Sequence, residues 1–380
     1  MDAFYASVEL LRYPELRGMP VVIGGGSRHQ PIDEADPLTG TLTRRFTRLR
    51  GYVGRGVITT ATYEARAFGL RSAMGMMKAA QLAPDTVLLP VDFDRYRKYS
   101  RMFKAAVRAI APQIEDRGID EIYIDLTELV GAAADPWARV REIGGQIRRA
   151  VRESTGLSCS IGVSPNKLLS KIASDLDKPD GLTLLRPEDI AARIWPLPPR
   201  KINGVGPKAS AKLTGLGIAT IGLLAEAEPA YLVSHFGRNY GLWLHECAKG
   251  QDERPIVTSS EPTSISRETT FERDLHPARD RDELREIFTE LCQGLTDDLQ
   301  RKGYVGKTIG LKLRYDDFRT VTRARTLEAP TQDMHVIRRT AGECLKSVDL
   351  ERKIRLLGVR ASSLEPADGA ASPATGRLFD

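Results

Sequence analysis

The chain has 380 residues, 41% of them hydrophobic, a net charge of +6 and a pI near 9.1; this length exceeds what one core ordinarily supports, so two to four domains are expected, and the positive balance fits a polyanionic partner. Four widely spaced cysteines (Cys159, Cys247, Cys292, Cys344) without a C-x-x-C pair, and five histidines without a cluster, argue against a zinc framework or a disulfide scaffold and for a reducing compartment. No apolar run approaches the ~20 residues of a membrane span and no signal peptide opens the chain, so a soluble cytoplasmic protein without a membrane partner is expected.

In chain order, Met1-Asp2-Ala3-Phe4-Tyr5-Ala6-Ser7-Val8-Glu9 reads as the end of a strand turning into a helix. Pro20-Val21-Val22-Ile23, closed by Gly24-Gly25-Gly26, is a short buried strand with a flexible exit. Ser27 to Gly56 lacks apolar periodicity and holds six arginines against three acidic residues, the composition of a mobile surface insertion. Strand character resumes at 56–60, and the segments 62–66 and 74–80 read as helical. Residues 94–114 set Phe103, Val107, Ile110 and Ile114 at helical spacing, which predicts a helix packed on a sheet. Gly118 to Asp125 reads as a strand with adjacent carboxylates, 137–151 as a helix with Val140, Ile143, Ile147 and Val151 on one face, 157–163 as a strand and 166–175 as a helix. Interleaved strands and helices over residues 1–185 predict a mixed α/β domain, without internal repeats. A helical region with glycine turns follows at about 186–250, then a polar linker at 251–264. The last globular unit, about 265–364, has helices at 281–302 and 331–348 and strands at 307–315, 319–327 and 354–362. Alternation from Thr308 to Arg314 puts Lys312 and Arg314 on one face and Leu311 and Leu313 on the other. The Ala/Gly/Ser/Pro-rich tail after Pro366 is predicted to be disordered.

Several of these residues carry chemistry. Asp120 and Glu121 point to opposite faces of a regular strand, so they serve one centre only if the strand ends or bulges there; the alternatives are a Mg²⁺ site for phosphoryl transfer and a solvated acidic turn. Joined to the acidic N-terminal strand end, they point to a metal-dependent nucleotidyl transferase. Tyr63 and Arg66 lie three apart on one helix face, where they either grip a phosphate or leave Arg66 paired with Glu64. Lys178-Pro179-Asp180-Gly181 is a turn that exposes a lysine at a helix end. The segment 197–213 frames Gly204-Val205-Gly206 between two helical stretches, with Lys208 and Lys212 nearby, which resembles a helix-hairpin-helix that binds DNA backbone through its amides. Eight Lys or Arg residues between 301 and 325 either track a duplex backbone or form a solvated face.

In their order, D-A-F-Y-A-S-V-E at 2–9, Y-E-A-R-x-F-G at 63–69, I-D-E at 119–121, N-K-x-x-x-K-I-A-S-D at 166–175, K-P-D-G at 178–181, the G-V-G hairpin and S-I-S-R-E at 264–268 resemble a Y-family translesion DNA polymerase of the polymerase IV (DinB) type, over residues 1–24 and 56–364. The resemblance implies an α/β multidomain right hand: an α+β palm (1–10 and 91–185), small fingers (11–90, with the insertion at about 26–55), a helical thumb with the helix-hairpin-helix (186–250), the linker 251–264, an α+β little finger (265–364) and a disordered tail (365–380). It implies two Mg²⁺ ions, with Asp120 as a ligand, Glu121 completing the site in a catalytic role and Met1 offering its backbone carbonyl. Tyr5, next to Phe4, falls at the position that excludes a ribose 2′-OH, while Tyr63, Arg66 and Lys178 fall where the family holds the triphosphate. Gly204, Gly206, Lys208, Lys212, Arg267, Lys312, Arg314 and Arg323 would contact DNA. Gly162 becomes a close-approach position, and small Ser72 and Ala73 leave room over the templating base.

The implied activity is low-fidelity DNA-directed DNA synthesis on primer-template DNA with dNTPs, by a monomer. Three features depart from the family pattern. Its first metal-binding aspartate falls one residue before Met1, Asp2 being the second acid of that motif, so the resemblance implies a shortened start with weak metal binding and little turnover. A catalytically impaired, DNA-binding scaffold for another polymerase is the rival expectation. The arginine-rich insertion is the second departure, contacting template or a partner or forming a mere loop. Third, Thr375-Gly376-Arg377-Leu378-Phe379-Asp380 is similar to a sliding-clamp peptide, with Thr where that motif has Gln.

Overall fold

Helix α1 (Phe4–Arg12) buries Phe4, Ala6 and Val8 in a core shared with strand β1 (Val21–Gly24), all four residues of which are buried. The computed structural model describes residues 1–35 and 42–367, and the chain divides into two units: Met1–Gly51, Val57–Met74 and Lys78–Thr258 form the first, and Tyr52–Gly56, Gly75–Met77 and Ser259 onward form the second. Among the described residues no helix is long and apolar enough to cross a membrane. The clamp-like segment Thr375–Asp380 lies outside them.

The predicted surface insertion is an ordered hairpin over its described residues. Strands β2 (Ile32–Ala35) and β3 (Leu42–Arg45) pair antiparallel, with Asp33 directly opposite Arg44 and bonded to it at 2.7 Å, and Glu34 bonded to Arg45 at 2.8 Å. Leu49 beyond it is fully buried. Both strands are exposed on both faces, so they show no apolar alternation; the cross-strand charges were the available signal. Strand β4 (Ile58–Ala61) pairs antiparallel with β1, helices α2 (Tyr63–Ala67) and α3 (Met76–Leu82) follow, and β5 (Val87–Leu89) completes the sheet parallel to β1.

Helix α4 (Phe93–Arg108) stops well before the predicted residue 114; Pro112 intervenes and Ile114 passes into strand β6 (Ile114–Asp116). β6 pairs antiparallel with β7 (Ile122–Ile124), α5 (Thr127–Val130) and α6 (Pro136–Thr155) follow, and β8 (Ile161–Val163) reaches its parallel partner β9 (Leu182–Leu184) through α7 (Lys167–Ala173). The predicted faces hold: Phe103, Val107, Ile143, Ile147 and Val151 form one core beneath these strands. The predicted strand over Gly118–Asp125 is corrected, because β7 begins at Ile122 and both acids lie in the preceding turn, free of strand alternation. An open cleft of about 920 Å³ separates β7 from β8, and among the described residues no strand joins the two pairs. The expected N-terminal strand end is reduced to two rungs: the Met1 ammonium donates to the Asp120 carbonyl (2.8 Å) and the Asp2 N–H to the Ser158 carbonyl (3.3 Å).

Helices α8 (Pro207–Gly215), α9 (Ile221–Glu226), α10 (Pro229–Phe236) and α11 (Arg238–Ala248) share a core with Leu169 and Ile172 of α7. The first half of the predicted polar linker is bonded to α7 and its neighbours. Asn166 donates to the Gly250 carbonyl (2.8 Å), Asp252 accepts from Leu168 N–H (2.9 Å), and buried Lys167 bonds both Glu115 and the Pro255 carbonyl at 2.7 Å. In the second unit β10 (Ser264–Leu275), α12 (Arg281–Lys302), β11 (Tyr304–Tyr315), β12 (Thr320–Thr331), α13 (Met334–Lys346) and β13 (Ile354–Pro366) build an antiparallel sheet, order β10-β13-β11-β12. Leu311 and Leu313 are buried toward its two helices, as their alternation predicts.

Candidate functional site

Five parts of the chain meet at a cleft of about 410 Å³: Met1 with Ala3 to Tyr5; Thr59 with Thr60 in β4; Tyr63, Arg66 and Ser72; Asp120; and Lys178. Thr62 caps α2 by accepting from Ala65 N–H, and the three-residue spacing then sets Tyr63 and Arg66 on one face, with the guanidinium 5.0 Å from the ring centre. Arg66 Nε donates to the Ala61 carbonyl (3.1 Å), and among the described residues the alternative ion pair with Glu64 is not formed. The Tyr63 hydroxyl is buried and has no protein partner among the described residues, an orphaned donor beside a cavity. Burial first, then the Asp2 charge, push its pKa up, so it stays an O–H donor.

Tyr5 is locked in place. Its ring stacks on Tyr96 at 4.2 Å and 15°, and meets Phe93 edge-on at 6.0 Å. Burial and then the nearby Asp120 raise its pKa. Phe4 borders the same cleft, but its side chain is only 3% exposed and packs edge-on to Phe103, so the ring belongs to the core. Burial lowers the pKa of the Lys178 ammonium, but Asp175 at 2.8 Å, with Asp2 and Tyr63 beyond it, more than offsets this and the net shift is upward.

Asp120 borders both clefts and Glu121 the larger one. Glu121 is paired with Lys171 at 2.7 Å, both partly exposed. Lys171 lies inside the N-K-x-x-x-K motif, yet its spacing gave no sign of this pairing; Thr59, Thr60 and Ala3 also escaped sequence reasoning. Asp2 is 2% exposed, and Ser158, Ser160 and the Asp180 N–H occupy its carboxylate. Among the described residues no group of three or more His, Cys, Asp or Glu side chains gathers.

The G-V-G hairpin packs on an aromatic pair. Gly204 has φ +109°, a Cβ there would stand 2.7 Å from the Trp243 ring, and Tyr240, stacked on Trp243, donates to the Gly204 carbonyl at 3.0 Å. Gly206 caps α8, with Pro207 at its first position. Pro198-Pro199 limits the preceding helical stretch to one 3-10 turn, Pro199–Lys201. Lys208 is exposed, whereas Lys212 bonds the His235 carbonyl and lies over the Phe236 ring, which takes it away from the hairpin.

Strand register divides the basic residues of the second unit. Lys312 and Arg314 share the face opposite the helices with Arg360, which the sequence did not single out. Arg267 and Arg323 lie on the helix side, where Arg267 forms a bidentate pair with Asp298 of α12. Lys312 and Arg314 thus share a face as their alternation predicts, while Arg267 and Arg323 lie on the other. Lys312 itself is paired with Glu268 at 2.7 Å.

The sequence matches the impB/mucB/samB family over residues 1–175 and the C-terminal domain of that family over 262–372. It is 38% identical over 365 residues to DNA polymerase IV of Methanoculleus marisnigri, covering 96% of this chain and 93% of that protein. It is 39% identical over 366 residues to DNA polymerase IV of Alkalilimnicola ehrlichii, with the same shares. Among solved structures, a Y-family DNA polymerase chimera of Dbh and Dpo4 shares the fold with a TM-score of 0.78 at 24% identity, over 95% of this chain and 96% of that one. DinB from Sulfolobus solfataricus does so with a TM-score of 0.59 at 23% identity over the same shares. Nothing in these relatives favours a non-catalytic scaffold. With its motifs in family order, the right-hand fold and relatives of this similarity along nearly its full length, the chain belongs to the impB/mucB/samB family, the Y-family translesion DNA-directed DNA polymerases of the polymerase IV type.

Proposed function

We propose that the 410 Å³ cleft holds the incoming dNTP and that Asp120 and Glu121 hold two Mg²⁺ ions beside it. The observation that carries this is convergence: a locked ring (Tyr5), an orphaned hydroxyl (Tyr63), a guanidinium without a carboxylate partner among the described residues (Arg66) and an ammonium (Lys178) line one cavity that also reaches Asp120. The donor set fits a hard cation, since two carboxylates and the Met1 carbonyl offer only oxygen and leave positions for water and phosphate. When bound, the metal ions activate the primer hydroxyl and neutralise charge on the transferred phosphoryl group.

The chain's own residues position the substrate. Arg66 presents its fork and Tyr63 its hydroxyl to phosphate oxygens, with Lys178 as a point charge, and these fixed groups meet the charge that builds on the leaving pyrophosphate without reorganising. Tyr5, held by Tyr96, closes the sugar side against a 2′-OH. Ser72 at the cleft edge and Ala73 beside it leave the templating base uncrowded. The Gly204–Gly206 amides with Lys208 bind a DNA phosphate, and the sheet face with Lys312, Arg314 and Arg360 follows the duplex backbone. Four buried free cysteines support a reducing, cytoplasmic setting.

The test is Mg²⁺-dependent primer extension with dNTPs and NTPs in parallel. Templated dNTP incorporation is expected, with ribonucleotides admitted at least roughly tenfold better by Tyr5→Ala. Unchanged sugar discrimination in Tyr5→Ala would remove the cleft as the sugar pocket.

A further inference from the structure

One buried acid beside the cleft takes no part in the chemistry above. The Asp2 carboxylate receives three donors: Ser158 Oγ (2.9 Å) and Asp180 N–H (2.9 Å) on Oδ2, and Ser160 Oγ (2.7 Å) on Oδ1. These donors come from the segment entering β8 and from the Lys178–Gly181 turn that leads into β9. Resting on the assignment of Lys178 to the triphosphate, we propose that Asp2 is a positioning residue: it anchors the Lys178–Gly181 turn and thereby sets the Lys178 ammonium at the nucleotide cleft.

The turn needs an external anchor, because it lies between α7 and β9 and its backbone is unusual. Asp180 has φ +57°, a left-handed conformation that a side-chain-bearing residue keeps only when its surroundings impose it. Gly181 folds so tightly on the end of the preceding segment that a Cβ there would meet the Asp177 carbonyl oxygen at 2.1 Å. The hold comes from two sides. Asp2 accepts the Asp180 N–H, and the Ser160 hydroxyl relays a second link, accepting from Gly181 N–H at 3.3 Å while donating to Asp2. Arg148 and Arg152 of α6 pair with the Asp180 carboxylate.

A carboxylate is suited to this post where an amide is not. It presents two acceptor oxygens and no donor, and bonds to an ionised acceptor are the stronger kind. Asparagine retains one acceptor oxygen and brings two N–H donors, so the three incoming donors are no longer all satisfied. The Asp2 charge also reaches Lys178 and Tyr63, being among the charges that raise the pKa of each.

The experiment measures equilibrium dNTP binding to the full chain on a dideoxy-terminated primer-template, so no turnover is needed. The wild type, Asp2→Asn, Lys178→Ala and the double variant are compared, with primer-template affinity and Tm recorded for each. Lys178→Ala is expected to raise the dNTP Kd roughly tenfold, and Asp2→Asn to reproduce most of that with primer-template affinity unchanged. The double variant should be no weaker than Lys178→Ala alone, because the anchor acts through Lys178. An unchanged Kd in Lys178→Ala would refute the nucleotide assignment itself. If Lys178→Ala weakens dNTP binding while Asp2→Asn does not, or if the two effects multiply, the positioning role is overturned. Should Asp2→Asn fail to fold, Ser160→Ala replaces it: about a threefold rise in dNTP Kd, absent in the Lys178→Ala background, supports the anchor, and no rise overturns it.

Discussion

The cleft proposed for the nucleotide and the open sheet face proposed for DNA both expose polar and cationic groups, but they are built on opposite plans. In the cleft each group is single and held: Tyr5 by Tyr96, Arg66 by the Ala61 carbonyl, Lys178 by Asp175. On the sheet, Lys312, Arg314 and Arg360 come from strand register, and Lys312 is shared with Glu268. Effects of substitution should therefore be large and specific in the cleft, small and distributed on the sheet.

Asp120→Asn should break the cleft side of this contrast most completely. Primer extension is expected to fall about a thousandfold, since a neutral amide replaces the carboxylate proposed to hold the metal, and single-turnover rates check it. Next comes the scaffold beneath the cleft. A Cβ at Gly162 would lie 2.3 Å from the Ser170 carbonyl oxygen and the Ser174 nitrogen, backbone atoms that cannot swing aside, so Gly162→Ala should cost about 3 kcal/mol by denaturant unfolding. Tyr63→Phe removes the orphaned hydroxyl alone and should weaken dNTP binding about fivefold with little change in Tm.

On the sheet, Arg360→Ala should weaken DNA binding only about threefold, equally for all sequences, and lower the salt slope by about one. The smallest effect is the Arg267 pair, which belongs to the sheet's other face. Its hydrogen bond holds the Asp298 carboxyl below the ordinary carboxylate range, against the opposing effect of burial. Asp298 is therefore ionised more easily folded than unfolded. Its contribution is present above the unfolded pKa of about 3.9 and is lost as pH falls through the lower folded value. Asp298→Asn should erase that acid limb, worth under about 1 kcal/mol beside a half-exposed arginine, in Tm measured between pH 2 and 5.

Whatever depends on neighbours a few residues apart was legible in the sequence. The faces of α4 and α6, the alternation around Lys312, the Tyr63/Arg66 spacing and the G-V-G turn all follow from the 3.6 and 2.0 residue periods and from glycine's access to positive φ. Motif order then carried the family. The insertion hairpin was missed because it buries neither face, and the acids were placed within a strand because nothing local marks where β7 begins.

What only the tertiary structure decided are the pairings across long stretches of chain. Asp2 meets Ser160 and Asp180, Glu121 meets Lys171, Arg267 turns to Asp298, and Lys212 leaves the hairpin for the His235 carbonyl. In each case a short-range period leaves a charged side chain several equivalent partners, and the choice falls to whichever donor or acceptor the packed chain brings within reach; for Asp2 and Asp298, which are buried, the pairing is enforced because a buried polar group left unpaired costs more than an exposed one.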